Sequence, residues 1–144
     1  MSSVRYDVLG FGNAIVDVIA RADDAFLAKQ EMRKGGMSLI DEARAQAIYD
    51  AMGPAVEISG GSAANTIVGV AGFGAKSGFV GKVKDDQLGA IYRHDMRAQG
   101  VSFDSVASRA GPATARSFIL VTPDGERTMN TYLGACVNLT TADI

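Results

Sequence analysis

Two adjacent glycines, Gly60 and Gly61, open the stretch of this sequence that is best suited to hold a ligand. Glycine accepts positive φ angles and lets a ligand approach the peptide groups closely. Ser62 can cap a helix that begins here, and a helix start presents free N–H groups with a partial positive charge. One turn further, Asn65 offers both a donor and an acceptor. The stretch predicts a site for a polar, hydroxyl-rich or anionic ligand, and a tight strand-to-helix turn without a ligand is the alternative.

An acidic side chain, Asp17, lies inside the apolar run from Ile15 to Ala20, four residues after Asn13. A carboxylate among aliphatic side chains is costly to bury unless it gains hydrogen-bonding partners. The functional interpretation is a carboxylate that accepts hydrogen bonds from ligand hydroxyls. The structural alternative is an aspartate on the solvent-exposed face of an edge strand, and the segment alone does not decide between them.

The composition indicates one soluble domain and excludes several classes of partner. The 144 residues are 47% hydrophobic, which is enough for a core, and a net charge of −2 with interspersed signs gives no reason to expect nucleic acid or a membrane. One cysteine, Cys136, excludes an internal disulfide and fits a reducing compartment. Residues 1–5 lack the apolar block of a signal peptide, and no window reaches the length of a membrane span. We therefore expect a cytoplasmic protein.

Strand and helix patterns alternate along the chain, which predicts an α/β fold with a parallel core sheet and a smaller β layer. The apolar run at 8–12 predicts a buried strand near the centre of a sheet, and the apolar helix after Asn65 is expected to be deeply buried. The other predicted strands are 37–40, 56–59, 78–83 and the hairpin 113–121 with 127–133; the other predicted helices are 25–30, 42–52 and 86–99. The chain stops where Thr140 or Thr141 caps a further helix, so we expect a fragment of a longer protein.

An ordered set of motifs resembles the PfkB/ribokinase family of sugar and nucleoside kinases. The set is GFGN with Asp17 four residues after the Asn, then GGSAANT, then VGKVKDDQLG at 80–89, then SFILVTPDGERTM at 117–129. Two positions depart from the family pattern: Ile67 replaces a small residue, and Lys84 replaces a glycine, which puts the shape of that turn in doubt. The spacing from Asp17 to Gly61 resembles the adenosine-kinase-like branch, because sugar-only ribokinases have a shorter insert.

The resemblance implies a ribokinase-like fold, a Rossmann-like three-layer arrangement around a parallel sheet with a small β-strand lid. Residues 1–144 would be the N-terminal part of that kinase domain, with lid segments at about 16–40 and 113–133. The site residues implied for the sugar are Asn13, Asp17, Gly60, Gly61 and Asn65. Ile15 and Leu39 are implied as contacts of the base.

The resemblance also implies an ATP- and Mg²⁺-dependent enzyme that phosphorylates the 5′-hydroxyl of adenosine or a related ribosyl compound. The family's catalytic aspartate begins a helix after a Gly-Ala-Gly motif, and this sequence has no such motif. We therefore expect no catalytic or metal-binding residue in this chain, and we expect the catalytic aspartate and the nucleotide-binding half after Ile144.

Two alternatives stay open at this stage. The first is a kinase for a free sugar such as ribose, fructose or a keto-deoxy sugar acid. The second is a non-catalytic binding or assembly module, in which lid strands pair edge to edge to form a homodimer.

Overall fold

Two β-sheets and four α-helices form the fold in the computed structural model, which describes residues 5–144. Residues 1–4, part of the segment that lacks a signal-peptide pattern, lie outside the described residues. The strands are β1 (Val8–Phe11), β2 (Ile15–Arg21), β3 (Met37–Leu39), β4 (Ala55–Gly60), β5 (Ser77–Val80), β6 (Val101–Ser102), β7 (Ala115–Val121) and β8 (Arg127–Tyr132). The helices are α1 (Asp24–Lys29), α2 (Glu42–Ala51), α3 (Ser62–Gly72) and α4 (Gln87–Ala98), and short 3₁₀ turns follow at Gly134–Asn138 and Thr141–Asp143.

The smaller sheet is parallel and has the strand order β1-β5-β6. Within residues 5–144, β1 is an edge strand, so its predicted place near a sheet centre is wrong for the described part of the chain. Val8, Leu9 and Phe11 are 38%, 41% and 48% exposed because no described strand pairs with the outer edge of β1.

The larger sheet has five strands in the order β3-β8-β7-β2-β4. β2 runs parallel to β7 and antiparallel to β4, and β7 and β8 form the predicted hairpin. This sheet contains both segments predicted as a lid. Its size corrects one expectation: the β layer predicted to be the smaller one has more strands than the parallel sheet within residues 5–144.

The main core lies between the larger sheet and the helices. Val16 and Val18 of β2 and Phe118 of β7 are at most 1% exposed and pack in one cluster with Ile48 of α2 and Tyr92 of α4. The helices begin where carboxylates accept backbone N–H groups: Asp23 for α1, Asp41 for α2 and Asp86 for α4. Such caps contribute about 1 kcal/mol each, which explains why the sequence predicted these helix starts well.

Helix α3 differs from its prediction in two respects. Its cap is Gly61, with no side-chain hydrogen bond, and Ser62 is already the first helical residue. Only Ala64 and Ile67 of this helix are buried, although the helix is strongly apolar and was expected to be deeply buried. Ile67 fills the space beside Gly10 of β1, where a Cβ atom would come within 2.8 Å of the Ile67 Cδ1 atom.

A three-membered ion cluster ties the two predicted lid segments together. Lys34, between α1 and β3, lies 2.7 Å from Asp24 and 2.6 Å from Asp124 in the β7–β8 turn. The hydrogen bond to Asp124, with that to Asp24 next, raises the pKa of Lys34 to about 12, and Lys34 holds the pKa of Asp124 below its usual range. Both groups are solvent-exposed, so the cluster fixes relative position more than it adds stability.

None of the helices formed by residues 5–144 has both the length and the apolar character required to cross a membrane.

Candidate functional site

One face of the larger sheet carries a cross-strand row of residues centred on Asp17. The register aligns Asp17 with Ile58 of β4 on one side and with Ser117 of β7 on the other, and the row continues through Thr131 of β8 to Leu39 of β3. Paired residues in adjacent strands point to the same face. We call this face the open face, because its outer members Ile58 and Leu39 are 41% and 63% exposed.

The Asp17 carboxylate lies directly against the first glycine of the GG pair. A Cβ atom on Gly60 would come within 2.7 Å of Asp17 Oδ1 and closer still to Oδ2. Gly60 therefore makes room for the carboxylate. Ile15, two residues before Asp17 on the same face of β2, pairs with Gly60 and Ala115. The structure thus brings together Asp17, Gly60 and Ile15, three of the predicted site residues.

Burial raises the pKa of the Asp17 carboxyl. Among residues 5–144, no hydrogen bond or charge partner offsets that loss of solvation. A half-buried carboxylate in this state gains most from a ligand that donates hydrogen bonds to it, since hydrogen bonds to charged groups are roughly twice as strong as neutral ones. The structural alternative of an aspartate on an edge strand does not hold, because β2 is paired on both sides.

The backbone geometry requires glycine at the second position of the GG pair. Gly61 has a φ of 97°, and a Cβ atom there would lie 2.6 Å from the carbonyl oxygen of Asn13. A side chain at this position would be strained by conformation and by contact. The GG pair therefore has two separate reasons to be glycine: Gly60 accommodates Asp17, and Gly61 accommodates the loop that carries Asn13 between β1 and β2.

The remaining predicted site residues are more dispersed. Asn65 lies in the first turn of α3, where its N–H donates to the Gly61 carbonyl at 2.8 Å, and it is exposed, as is Asn13. Leu39 shares the cross-strand row of Asp17 but lies three strands away, about 14 Å at the usual strand spacing. The open face is therefore wide enough for a ligand with more than one ring.

Sequence reasoning missed a pair of hydroxyl groups on the open face, of which Ser117 is the cross-strand neighbour of Asp17 and Thr131 lies one strand further. The Oγ of Ser117 and the Oγ1 of Thr131 are 2.8 Å apart, and both residues are at least 90% buried. The available signal was the alternation in β7, where Ser117 stands between Arg116 and the core residue Phe118, which both lie on the other face. Reading that alternation together with the register of β2 would have placed Ser117 next to Asp17.

Helix α4 supports the strand that leads into the GG pair. The Asp95 carboxylate accepts the Ser59 N–H at 2.9 Å, and Gln99 Nε2 donates to Ser59 Oγ at 3.2 Å. The Tyr92 hydroxyl donates to the Gly60 carbonyl oxygen at 3.5 Å, a long contact. Burial, followed by the nearby negative charge of Asp17, raises the pKa of Tyr92 well above its usual range.

The chemistry of this arrangement suits a polyhydroxylated ligand, but the described residues do not assemble a metal site. Within residues 5–144, no group of three or more His, Cys, Asp and Glu side chains could hold a metal ion. Oxygen ligands from carboxylates and phosphates are the usual Mg²⁺ partners. The Mg²⁺ implied by the sequence resemblance therefore finds no assembled carboxylate site among residues 5–144.

Comparison with known proteins gives the family. The model of the pfkB family carbohydrate kinases matches residues 45–144. The adenosine kinase of Sinorhizobium meliloti is 58% identical with a TM-score of 0.90, over 98% of this chain and 43% of that structure. A Rhizobium etli protein described as a probable sugar kinase is 56% identical with a TM-score of 0.90, over 97% and 42%. A fructokinase of Solanum tuberosum is 37% identical over 73 residues, 51% of this chain and 23% of the relative.

The chain belongs to the pfkB family of carbohydrate kinases, and its α/β fold is ribokinase-like. The family and fold predicted from the sequence motifs are therefore confirmed. The chain spans about a quarter of the curated fructokinase and less than half of either solved relative.

Proposed function

We propose that this chain is the substrate-binding and lid part of an ATP-dependent kinase that phosphorylates the 5′-hydroxyl of adenosine or a related ribosyl compound. The observation that carries the proposal is the Asp17 carboxylate, half-buried, without a partner among residues 5–144 and seated against Gly60. The family to which the chain belongs supports phosphotransfer to an alcohol group.

A vicinal diol is the ligand group that suits Asp17 best. Two hydroxyls of one furanose can each donate to a carboxylate oxygen, and such bonds to a charged acceptor contribute about 1.5–3 kcal/mol each. The exposed Asn13 and Asn65, on either side of the GG pair, are proposed to bind further polar atoms of the same sugar. The peptide groups of Gly60 and Gly61 complete this proposed sugar site.

The apolar part of the open face favours a nucleoside over a free sugar. Ile15 and Ile119 lie on that face, and Leu39 and Met37 on β3 are 63% and 58% exposed. A purine ring would cover such side chains and gain about 25 cal/mol for each Å² of apolar surface removed from water. Free ribose or fructose would leave them uncovered. The naming of the Sinorhizobium relative as an adenosine kinase agrees with this choice.

A free-sugar kinase is the second candidate, because one relative is a fructokinase and another is described as a probable sugar kinase. A thermal-melt screen with adenosine, ribose and fructose at equal concentrations separates the candidates, since a ligand that binds the native state raises the melting temperature. We expect adenosine to stabilise most. Stabilisation by fructose or ribose with none by adenosine would establish the second candidate.

We further propose that segments 16–40 and 113–133 act as a lid that closes on the substrate and excludes water. The protein has no tryptophan, so a Leu39→Trp substitution introduces a single fluorescent reporter on the open face. Adenosine is expected to blue-shift its emission. Tyr49→Trp is the matched control, because Tyr49 packs towards Phe118 on the other face of the sheet, and its emission should stay unchanged.

The catalytic aspartate and the ATP and Mg²⁺ sites are proposed to lie in sequence after Ile144. The partial coverage of the relatives supports this, and so does the exposed apolar edge of β1. Residues 1–144 alone should bind a hydrophobic dye, and a protein extended to the length of the solved relatives should bind much less. A sharp melt of residues 1–144 without dye binding contradicts this part of the proposal.

Asp17→Ala in the extended protein tests the function itself. We expect adenosine phosphorylation to fall by about 100-fold or more in kcat/KM, from the loss of two charge-assisted hydrogen bonds. Ser62→Ala is the matched control, since Ser62 is exposed and does not cap α3. Normal kinetics for Asp17→Ala would falsify the ribose assignment, and an extended protein that phosphorylates no nucleoside or sugar would favour a non-catalytic module.

We also propose how the protein assembles. The outer edge of β3, a strand of the proposed lid, is unpaired within residues 5–144, and Met37 and Leu39 on this strand are 58% and 63% exposed, so we propose a homodimer through strand pairing at this edge. Size-exclusion chromatography with and without adenosine tests it. A monomer in both conditions would exclude that dimer.

We propose a cytoplasmic location from the single cysteine and the acidic, evenly charged composition.

A further inference from the structure

A cavity separate from the open face lies on the side of α4 that faces away from the GG pair. It has a volume of about 570 Å³ and is bounded by α4, the start of the loop before it and the segment around Ala107. Its lining includes Gly89, which has no side chain, and Ala90 and Ala98, whose side chains are short and take up little of the space. Cavities of roughly 300–1,000 Å³ commonly hold small ligands. The proposed function makes no use of this cavity.

The lining is strongly cationic, although the chain as a whole carries a net charge of −2. Lys84, Arg93 and Arg97 line the cavity against one carboxylate, Asp85, and His94 adds a titratable ring. Arg93 and Arg97 are four residues apart on α4, so their side chains lie on the same face, one turn apart. Three cationic groups concentrated in one concave site attract anions.

The cationic groups have more donors than the described residues use. One nitrogen of Arg93 donates to the Ser105 carbonyl at 3.4 Å, and one of Arg97 donates to the Phe103 carbonyl at 3.2 Å. A guanidinium has five N–H donors in a planar fork, so most remain available. Within residues 5–144, Arg93 has no carboxylate at ion-pair distance, and Arg97 has only Asp104 at 3.7 Å, which also pairs with Arg5 at 2.7 Å.

Lys84 is one of the two departures from the family pattern noted in the sequence. Its position in the fold places it in the lining of the cavity. Its Nζ donates to the Gly111 carbonyl at 2.9 Å, which leaves two of three donors for another acceptor. Lys84 is not among the positive-φ residues of the described chain, so the lysine does not strain the turn in which a glycine is usual. The substitution thus adds a cation to the cavity without a backbone cost.

We propose that this cavity, formed by Lys84, Arg93 and Arg97, binds a phosphate group, either as free phosphate or carried by a small organic molecule. Paired guanidinium forks match the oxygen geometry of phosphate, and each can donate two parallel hydrogen bonds. The short apolar side chains beside them leave room for an organic body. The alternative is that Lys84, Arg93 and Arg97 serve only to hold the 103–111 segment by hydrogen bonds to its carbonyl oxygens. That role alone would not require three cations around an open cavity.

The test titrates inorganic phosphate and AMP into the protein at constant ionic strength and follows the backbone amide NMR signals of residues 90–98. We expect a saturable shift with at least one probe. Equal affinity for both probes assigns the site to free phosphate, and tighter AMP binding assigns it to a phosphate with an organic body. No saturable shift with either probe overturns the proposal.

Charge variants locate the binding. Arg93→Gln with Arg97→Gln should weaken the shift by about tenfold or more, from the loss of charge-assisted bonds. Lys29→Gln with Lys76→Gln removes the same charge at two exposed positions outside the cavity and should leave affinity unchanged. Equal weakening by both pairs would mean general electrostatic attraction and overturns the site. Loss of the shift in Asp17→Ala would place AMP on the open face and also overturns it.

A conservative variant keeps the test valid if the double glutamine variant does not fold. Arg93→Lys retains the charge but loses the planar fork, so we expect weaker phosphate binding with an unchanged melting temperature. Unchanged phosphate affinity in Arg93→Lys, together with unchanged affinity in Arg97→Lys, would show that the forks do not bind the anion and would contradict the geometry proposed here.

Discussion

The two faces of the larger sheet are built from the same strands but are covered very differently. On the closed face, Val16 and Val18 of β2 and Phe118 of β7 are at most 1% exposed beneath the helices. On the open face, Asp17 lies half-buried in a row whose outer members, Ile58 and Leu39, are 41% and 63% exposed. Successive residues of a strand point to opposite faces, so core residues and residues of the proposed site alternate along β2.

This comparison teaches that an apolar sequence run can contain a residue of the proposed binding site as well as residues of the core. The closed face of β2 supplies the apolar residues that make the run resemble a core strand. The open face supplies Asp17, which contributes nothing favourable to the core and loses solvation where it lies. A residue that costs stability beside residues that provide it is the pattern expected of a functional position.

The largest effect is expected from the closed face. Phe118→Ala removes a fully buried aromatic ring from the main core and should lower the free energy of unfolding by about 3–5 kcal/mol. Ile119→Ala, at the next residue but on the half-buried open face, should cost much less. Urea denaturation of both variants measures the difference. Equal losses would show that the two faces are not distinct in packing.

A smaller effect is expected at the second glycine. Gly61→Ala forces an alanine to a φ of 97° and against the Asn13 carbonyl oxygen, so we expect a loss of about 2 kcal/mol or more in unfolding free energy. Gly60→Ala instead presses on the Asp17 carboxylate, and should reduce adenosine binding more than stability. Isothermal titration and denaturation on both variants separate these roles. The reverse ranking would contradict the geometry of the GG pair.

The paired hydroxyls of Ser117 and Thr131 on the open face should give an effect of about 1 kcal/mol. Ser117→Ala or Thr131→Val alone leaves the other buried hydroxyl without its 2.8 Å partner. The double variant removes both and should recover part of the loss, so the double-mutant cycle should give a non-zero coupling energy. Strictly additive losses would mean that the two hydroxyls do not depend on each other.

The smallest expected effect on stability comes from the charge of Asp17. Removing this charge should stabilise the protein, whereas the substitutions above should destabilise it. The folded-state pKa of Asp17 is raised, so the native state binds more protons than the unfolded state as pH rises above the ordinary carboxyl value near 3.8. Stability from this group is therefore lost with rising pH. Asp17→Asn should be as stable as the wild type in acid and slightly more stable at neutral pH. A variant less stable at neutral pH would assign Asp17 a structural role.

Much of the fold was predictable because its signals are local. Helices α1, α2 and α4 begin at aspartate caps, and the β7–β8 hairpin turns at Pro123-Asp124-Gly125, so these elements follow from a few neighbouring residues. The environment of β1 and α3 was not predictable in this way. Exposure depends on which segments pack against an element, and neither an apolar run nor an apolar helix contains that information.

The residues of the candidate site also differ in whether a local sequence signal identifies them. Asp17 and the GG pair were identified because a carboxylate in an apolar run and two adjacent glycines are unusual over a few residues. Ser117 and Thr131 were missed because hydroxyls are common in strands and become notable only through the register of β7 with β2 and β8. The cationic cavity joins residues from 84 to 107, and no local pattern marks it.

The ion cluster at Lys34 has a mechanical consequence for the proposed lid. Its two aspartates belong to segments separated by 100 positions along the chain, yet one ammonium group lies within 2.7 Å of both. These ion pairs connect the segment of α1 to the tip of the β7–β8 turn, so we expect the two parts of the proposed lid to move together. Because the ion cluster is solvent-exposed, high salt should weaken it. The two segments would then move independently at salt concentrations that leave the fold intact.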